Sequence, residues 1–120
     1  MSESASALLL DPERVEEIRR VERAAGRHDL FSSFVRTLES NLAGFSAAFA
    51  ASVSRGDHTG AERAAHTLKG ACRQLGALAL GDLFAEIERS AHAGNYDEAK
   101  QKFDGNAALV AESLEALKRA

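Results

Sequence analysis

Apolar residues recur every three to four positions along most of this chain, which is the spacing of amphipathic α-helices. Acidic residues that can act as N-caps, Asp11 and Asp57, alternate with glycines that can end a helix, Gly26 and Gly76. Pro12 stands where a first helical residue is expected. Together these signals predict five helices, from Asp11 to about Ala25, from near Asp29 to about Ser54, from Asp57 to near Gly76, from about Leu78 to His92, and from Asn95 to about Lys118.

The predicted connections between these helices are short, and short connections place neighbouring helices antiparallel. The sequence therefore predicts an all-α fold, an antiparallel up-down-up-down four-helix bundle with an additional short N-terminal helix. Residues 10–120 are expected to form this single domain, because a chain of 120 residues suffices for one hydrophobic core. Residues 1–9 are expected to be a flexible N-terminal tail.

Two details of the helices can also be predicted. On a helical wheel the buried stripe of the second helix is formed by Leu30, Phe34, Leu38, Phe45, Phe49 and Ser52, with Phe31 and Leu42 at its edge. At the start of the last helix, Asn95 and Glu98 have the spacing of a capping box. All these stripes can be buried within one bundle, so we expect a monomer.

Composition narrows the functional classes. Hydrophobic residues make up 45% of the chain and charged residues 28%, which is typical of a globular protein. The net charge of -3 argues against nucleic-acid binding, and no apolar run reaches the roughly 20 residues of a membrane span. Cys72 is the single cysteine, which excludes an intramolecular disulfide and favours a cytoplasmic location. The spacing of the histidines predicts no metal site.

The third predicted helix contains the residues with the clearest chemistry. Ala61, Ala65, Leu68, Cys72 and Leu75 cluster in one arc of its wheel, which predicts the buried face. His66 lies about 120–140° from the centre of that arc, so its imidazole is expected on the solvated face.

The residues around His66 include cations that could bind an anion. Lys69 and Arg73 share its face and Arg63 flanks it, so these cations could balance the charge of a phosphoryl group on the imidazole. Gly70 costs about 1 kcal/mol against alanine in a helix interior. Because the wheel places Gly70 on the exposed side beside His66, we interpret it as clearing the approach to the imidazole for a bulky partner, in preference to close helix packing.

The segment His66-Thr67-Leu68-Lys69-Gly70, followed by Gly76, resembles the signature of the histidine-containing phosphotransfer (HPt) domain family. The resemblance implies that His66 accepts a phosphoryl group from a receiver-domain phospho-aspartate or a histidine kinase and returns it to another receiver aspartate. Family members have no ATP site and no cofactor of their own, and the partner receiver supplies Mg²⁺. The implied partners are response-regulator receiver domains and a hybrid histidine kinase.

The resemblance also implies a residue that orients the imidazole. In the family a Gln or Glu on the following helix often accepts a hydrogen bond from the second ring nitrogen, and the matching position here is Glu88. The wheel places Glu88 at the edge of the apolar face, within reach of the third helix. A solvated Glu88 paired with Arg89 or His92 is the alternative. Phe31 or Val35 is a candidate for an apolar rim that docks a receiver.

A second function stays open from the sequence. The chain could be a non-catalytic helical-bundle interaction module whose histidine is unused. The intact His-x-Leu-Lys-Gly segment argues against this alternative, since a scaffold does not need a destabilising glycine beside a solvated histidine.

Overall fold

The structure, a computed structural model, describes residues 9–120, and all the regular secondary structure in this range is α-helical. The predicted tail therefore lies, apart from Leu9, outside the described residues. The all-α class is confirmed, whereas the up-down-up-down order of the helices stays a prediction. The helices are α1 (Pro12–Ala24), α2 (Leu30–Ser54), α3 (His58–Gln74), α4 (Leu78–His92), α5 (Tyr96–Asp104) and α6 (Ala107–Arg119).

The N-caps predicted for α1 and α3 and the glycine stops of the first four helices act as the sequence predicts. Asp11 Oδ1 accepts a hydrogen bond from the backbone N–H of Glu13 at 3.1 Å, and Asp57 Oδ1 accepts one from Gly60 at 2.9 Å. Glycine follows each of α1 to α4 with a positive φ, which is +81° at Gly76. The predicted bounds of these helices are confirmed to within a residue or two.

The prediction of one last helix from Asn95 to Lys118 is wrong. The chain leaves the helix after Asp104 and re-enters it at Ala107, so the segment forms two helices, α5 and α6. Gly105 is a poor helix former, and the Asn106 side chain donates to the Lys102 carbonyl at 2.6 Å, a local bond that competes with helix continuation.

The capping box predicted at the start of α5 is also wrong. Within residues 9–120 the Asn95 side chain makes no capping hydrogen bond. The Glu98 carboxylate instead accepts a hydrogen bond from the Ser90 hydroxyl of α4 at 2.8 Å. This contact joins α5 to α4 and turns the Glu98 carboxylate away from the start of its own helix.

The buried stripe of α2 differs from the predicted one. Phe34 is 45% exposed, whereas Phe31 and Val35 are 1% and 3% exposed, so neither of these two can form a docking rim. The buried residues alternate spacings of four and three, a 3.5-residue repeat that drifts by about 20° per seven residues on a straight helix. The predicted stripe is centred near Phe34, about 60° from the direction that Phe31 and Phe49 share, so Leu30, Phe34 and Ser52 are not buried. The stripe consists of Phe31, Val35, Leu38, Leu42, Phe45 and Phe49.

An aromatic cluster lies at the centre of the core. The rings of Phe45 and Phe84 meet edge to face at a centroid distance of 5.1 Å, and Phe103 packs against Phe45 at 4.9 Å. These residues join α2, α4 and α5. The predicted buried face of α3 is confirmed, with Ala61, Ala65 and Cys72 fully buried. Burial raises the pKa of the Cys72 thiol to about 12, so the thiol is a packing group and not a nucleophile at neutral pH.

Helix α1 is attached to the start of α2 by a buried carboxylate. Glu22 is only 6% exposed and accepts a hydrogen bond from the backbone N–H of Phe31 at 2.9 Å. This bond holds the pKa of Glu22 below its usual value. Arg19 pairs with Glu22 at 3.0 Å and lies over the Phe31 ring at 4.6 Å. Glu22 thus supplies a cap from the preceding helix, which the sequence pattern did not reveal.

The turn between α3 and α4 is held by α1 as well. The backbone N–H of Asp11 donates to the Gly76 carbonyl at 2.7 Å, and Arg14 Nε donates to the Gln74 carbonyl at 2.7 Å. A Cβ at Gly76 would lie 3.2 Å from both the Asp11 carbonyl and the Arg14 Cβ. Glycine is therefore needed here for its positive φ and for the close approach of α1.

Ser113 of α6 provides a test of the packing. Its hydroxyl is fully buried and has no hydrogen-bond partner among residues 9–120. A buried hydroxyl without a partner costs about 1–3 kcal/mol. We expect Ser113→Ala to raise the free energy of unfolding by about 1 kcal/mol in urea titrations followed by circular dichroism. A loss of stability would show that the hydroxyl has a partner in solution.

Candidate functional site

The fold exposes His66 on the face of α3 opposite the core. Ala65 and Leu68 beside it are buried, whereas 64% of the His66 side chain is exposed. Solvent therefore reaches the imidazole in the middle of a long helix, where the backbone is fully hydrogen-bonded. A core histidine would lie on the buried arc, and this one does not.

A carboxylate of α4 holds one nitrogen of the imidazole. His66 Nδ1 lies 2.9 Å from Glu88 Oε2, and the Glu88 side chain is 20% exposed. An ionised carboxylate can only accept hydrogen bonds, so Nδ1 carries the proton and donates it. In the neutral imidazole Nε2 then keeps its lone pair. The contact selects one tautomer and one ring orientation.

Lys69 binds the other oxygen of the same carboxylate. Its Nζ lies 2.7 Å from Glu88 Oε1. Partial burial raises the pKa of Glu88, but the hydrogen bonds from Lys69 and His66 outweigh burial and leave that pKa below its ordinary value of 4.5. Glu88 is therefore ionised at neutral pH. The sequence did not reveal this ion pair, because two helical wheels do not give the distance between their helices.

The lowered pKa of Glu88 predicts how stability depends on pH. A folded-state pKa below the unfolded one adds stability that is complete above about pH 4.5 and is lost as pH falls through the folded-state value. Wild type should therefore be more stable than Glu88→Gln at neutral pH, and the difference should shrink as pH falls below about 4.5 and vanish in acid that protonates the folded-state carboxylate. Urea unfolding midpoints of both proteins, at neutral pH and in acid, measure this difference in stability. A difference that persists in acid would contradict the assignment.

An open depression of about 240 Å³ lies beside His66. It is lined by Thr59, Glu62 and Arg63 of the preceding turns of α3, together with His66 and Glu88. The structure therefore brings Arg63 to the site, as the sequence spacing suggested. Arg63 is exposed to solvent.

Arg73 shares a face of α3 with His66 in sequence, but its side chain extends toward α4 instead. Its side chain packs over Gly81, near the start of α4. A Cβ added at Gly81 would lie 2.9 Å from the Arg73 Cγ. Its Nη2 lies 3.9 Å from Asp82 Oδ1. Arg73 is thus held along the junction of α3 and α4, one turn beyond Lys69, and does not contact His66.

Gly70 lies on the open side of α3. A Cβ built there would meet no atom within 4 Å, so the glycine is not required by packing. Alanine should therefore raise the free energy of unfolding by about 1 kcal/mol. If Gly70 clears the approach to His66, Gly70→Phe should slow phosphoryl transfer from a receiver while leaving the fold intact, as measured by transfer assays and circular dichroism.

Gly44 of α2 is the matched control, because a Cβ there also meets no atom within 4 Å. Gly44→Ala should stabilise the protein as much as Gly70→Ala does. Gly44→Phe should leave the transfer rate unchanged. Equal transfer rates for Gly70→Phe and wild type would show that the glycine does not serve access.

Two further side-chain pairs cross from α3 to α4 and α5. Glu62 Oε2 lies 2.9 Å from His92 Nδ1, and His58 Nδ1 contacts the Tyr96 hydroxyl. Positions 58, 62 and 66 of α3 pair with positions 96, 92 and 88, so the residue numbers rise along α3 while those of the partners fall. Helices α3 and α4 therefore run antiparallel. The seam formed by these pairs and by His66 with Glu88 fixes the register of the two helices.

Other kinds of site find no support in the part of the chain that the structure describes. No group of three or more His, Cys, Asp or Glu side chains there is placed to hold a metal ion. Each helix between residues 9 and 120 falls short of the length or the apolar character that a membrane span needs.

The fold and the site define an all-helical protein that presents one histidine to solvent on a long helix and anchors it from the next helix. The family model of the Hpt domain matches residues 29–120, and the chain belongs to this family. The predicted family membership is thereby confirmed. Helix α1 lies outside the matched range. Neither the curated proteins nor the solved structures contain a match to the chain.

Proposed function

We propose that this chain is a phosphorelay intermediate that accepts a phosphoryl group on Nε2 of His66 and passes it to a response-regulator receiver domain. Membership of the Hpt domain family supports histidine phosphotransfer in general. The observation that carries the specific assignment is the contact between His66 Nδ1 and Glu88, at 2.9 Å on an exposed imidazole. It leaves Nε2 as the free nucleophile.

Glu88 has a defined role in the proposed transfer reaction. The Nε2 lone pair forms a bond to phosphorus, while the bond from phosphorus to the aspartyl oxygen of the donor breaks and the donor carboxylate keeps the electron pair. The proton stays on Nδ1, so the ring gains positive charge as the N–P bond forms. The carboxylate of Glu88 faces that charge and stabilises it.

The protein acts in this proposal as a carrier and not as a kinase. The receiver domain would bring Mg²⁺, its acidic pocket and its own lysine, and the HPt protein needs no cofactor of its own. A hybrid histidine kinase is a candidate source of the phosphoryl group. A monomer in the cytoplasm, arranged as an up-down-up-down bundle, is the form in which we expect the protein to act.

Phosphoryl transfer from a receiver tests the proposal. The protein is incubated with receiver domains phosphorylated by a small-molecule phosphodonor in the presence of Mg²⁺, and labelled phosphate on it is measured. We expect label that is stable to base and labile to acid, which is the behaviour of phosphohistidine. His66→Gln should acquire none.

The same experiment separates the two candidate functions. An interaction module with an unused histidine would bind receivers but acquire no more label than His66→Gln. Circular dichroism of His66→Gln is the control for folding, and it should match wild type because the side chain is exposed. Equal labelling of wild type and variant would overturn the proposal.

A further inference from the structure

The cation expected to bind the phosphoryl group, Lys69, already has a partner. Its ammonium lies 2.7 Å from Glu88 Oε1, and only 22% of its side chain is exposed. One N–H donor of its ammonium is thereby committed to the carboxylate that orients the imidazole of His66. The ion pair therefore gives Lys69 a task other than binding phosphoryl oxygens.

The open space beside the imidazole of His66 lies toward the preceding turns of α3, whereas the Lys69 side chain ends on Glu88. Cα–Cβ bonds in an α-helix tilt toward the N-terminus, so a side chain covers the turn that precedes it. The depression beside His66 agrees with this direction, because its other α3 residues are Thr59, Glu62 and Arg63, whereas Lys69 does not line it. A phosphoryl group on Nε2 would thus lie next to the preceding turn.

Arg63 supplies the positive charge in that depression. The carboxylate of Glu62 lies 2.9 Å from His92 Nδ1 and is engaged with α4. Between residues 9 and 120 no carboxylate forms an ion pair with Arg63. A guanidinium presents several N–H donors in one plane, which matches the oxygens of a phosphoryl group.

We propose that Arg63 binds the oxygens of the phosphoryl group on His66, and that Lys69 is a positioning residue that acts through Glu88. This inference rests on the proposed function. During transfer the bond from phosphorus to the receiver's aspartyl oxygen breaks and the bond to Nε2 forms, with the electron pair leaving on the aspartate. Arg63 donates hydrogen bonds to the oxygens that do not bridge, and it transfers no proton.

Single-turnover transfer from a receiver that labels wild type tests the assignment of Arg63. At saturating receiver concentration, Arg63→Gln should lower the transfer rate about tenfold, a moderate effect because water and ions screen an exposed cation. Arg63→Lys should recover part of the rate. Arg119→Gln is the matched control, because Arg119 pairs with Glu115 within α6, and it should transfer at the wild-type rate.

A second measurement separates Arg63 from Lys69. In ¹⁵N NMR spectra, Lys69→Gln should change the His66 tautomer, because Glu88 loses the ion pair that holds it. Arg63→Gln should leave the tautomer as in wild type. An Arg63→Gln variant that changes the tautomer as Lys69→Gln does would contradict the division of roles.

The outcomes also separate this inference from the proposed function. If wild type acquires no phosphate, the proposed function fails and the inference fails with it. If wild type is labelled and Arg63→Gln transfers equally fast, only the role of Arg63 is overturned. A variant that needs more receiver for half-saturation but reaches the wild-type rate would make Arg63 a docking residue, which also overturns the inference.

Discussion

Glu88→Ala is expected to slow phosphoryl transfer to His66 about 10–100-fold, by analogy with loss of the hydrogen-bond partner of a metal-bound histidine. The variant removes the only carboxylate within hydrogen-bond distance of the imidazole in residues 9–120. Without it the Nδ1 proton has no fixed acceptor, so the nucleophilic tautomer and the ring orientation are populated less. The positive charge that develops on the ring also loses its counter-ion.

The measurement compares Glu88→Ala with Glu86→Ala, a variant of an exposed glutamate on the same helix. Glu86→Ala should transfer at the wild-type rate, and both variants should have the helical content of wild type. The transfer rate of Glu88→Gln should lie between those of Glu88→Ala and wild type, since its amide oxygen still accepts a hydrogen bond but no longer carries charge. Transfer by Glu88→Ala at the wild-type rate, with an unchanged His66 tautomer, would remove Glu88 from the site.

Phe84→Ala is expected to lower the free energy of unfolding by about 3–5 kcal/mol. Phe84 is fully buried and meets two aromatic rings, those of Phe45 at 5.1 Å and Phe103 at 5.8 Å. Alanine leaves a cavity among three helices that pack against one another and cannot easily collapse to fill it. Since domains have total stabilities of about 5–15 kcal/mol, this loss brings the protein close to unfolding.

Phe34→Ala is the matched control, because Phe34 is 45% exposed and lines a surface groove with residues of α1 and α3. It should cost clearly less than Phe84→Ala, about 1–2 kcal/mol, because only about half of its side chain leaves water on folding. Urea titrations of both variants, followed by circular dichroism, give the comparison. Similar losses for the two variants would mean that the aromatic cluster is not the centre of the core.

Helix limits and the core face of α3 could be predicted because they depend on local chemistry. Asp57 caps its own helix, and Gly76 ends that helix by taking a backbone conformation that other residues disfavour. The exposure of His66 follows from the same wheel that buries Leu68. Such features need no knowledge of a partner helix, and the sequence contains them in full.

The remaining features depend on distances between helices. The ion pair of Lys69 with Glu88 and the path of Arg73 across Gly81 exist because α3 and α4 meet at one particular register. The burial of Phe31 depends on α1, whose Arg19 covers its ring. Periodicity indicates which side of a helix is apolar, but it does not give the neighbour that covers each end of that side.

The turn of residues 75–77 acts as a spacer that sets the rotational phase of α4 relative to α3. One inserted residue would turn α4 by about 100° about its own axis and carry Glu88 away from His66. Helix α1 fastens this spacer through Asp11 and Arg14, although α1 lies outside the matched family region. The length of a three-residue connection is thus as much a part of the proposed phosphotransfer site as the side chains that touch the imidazole.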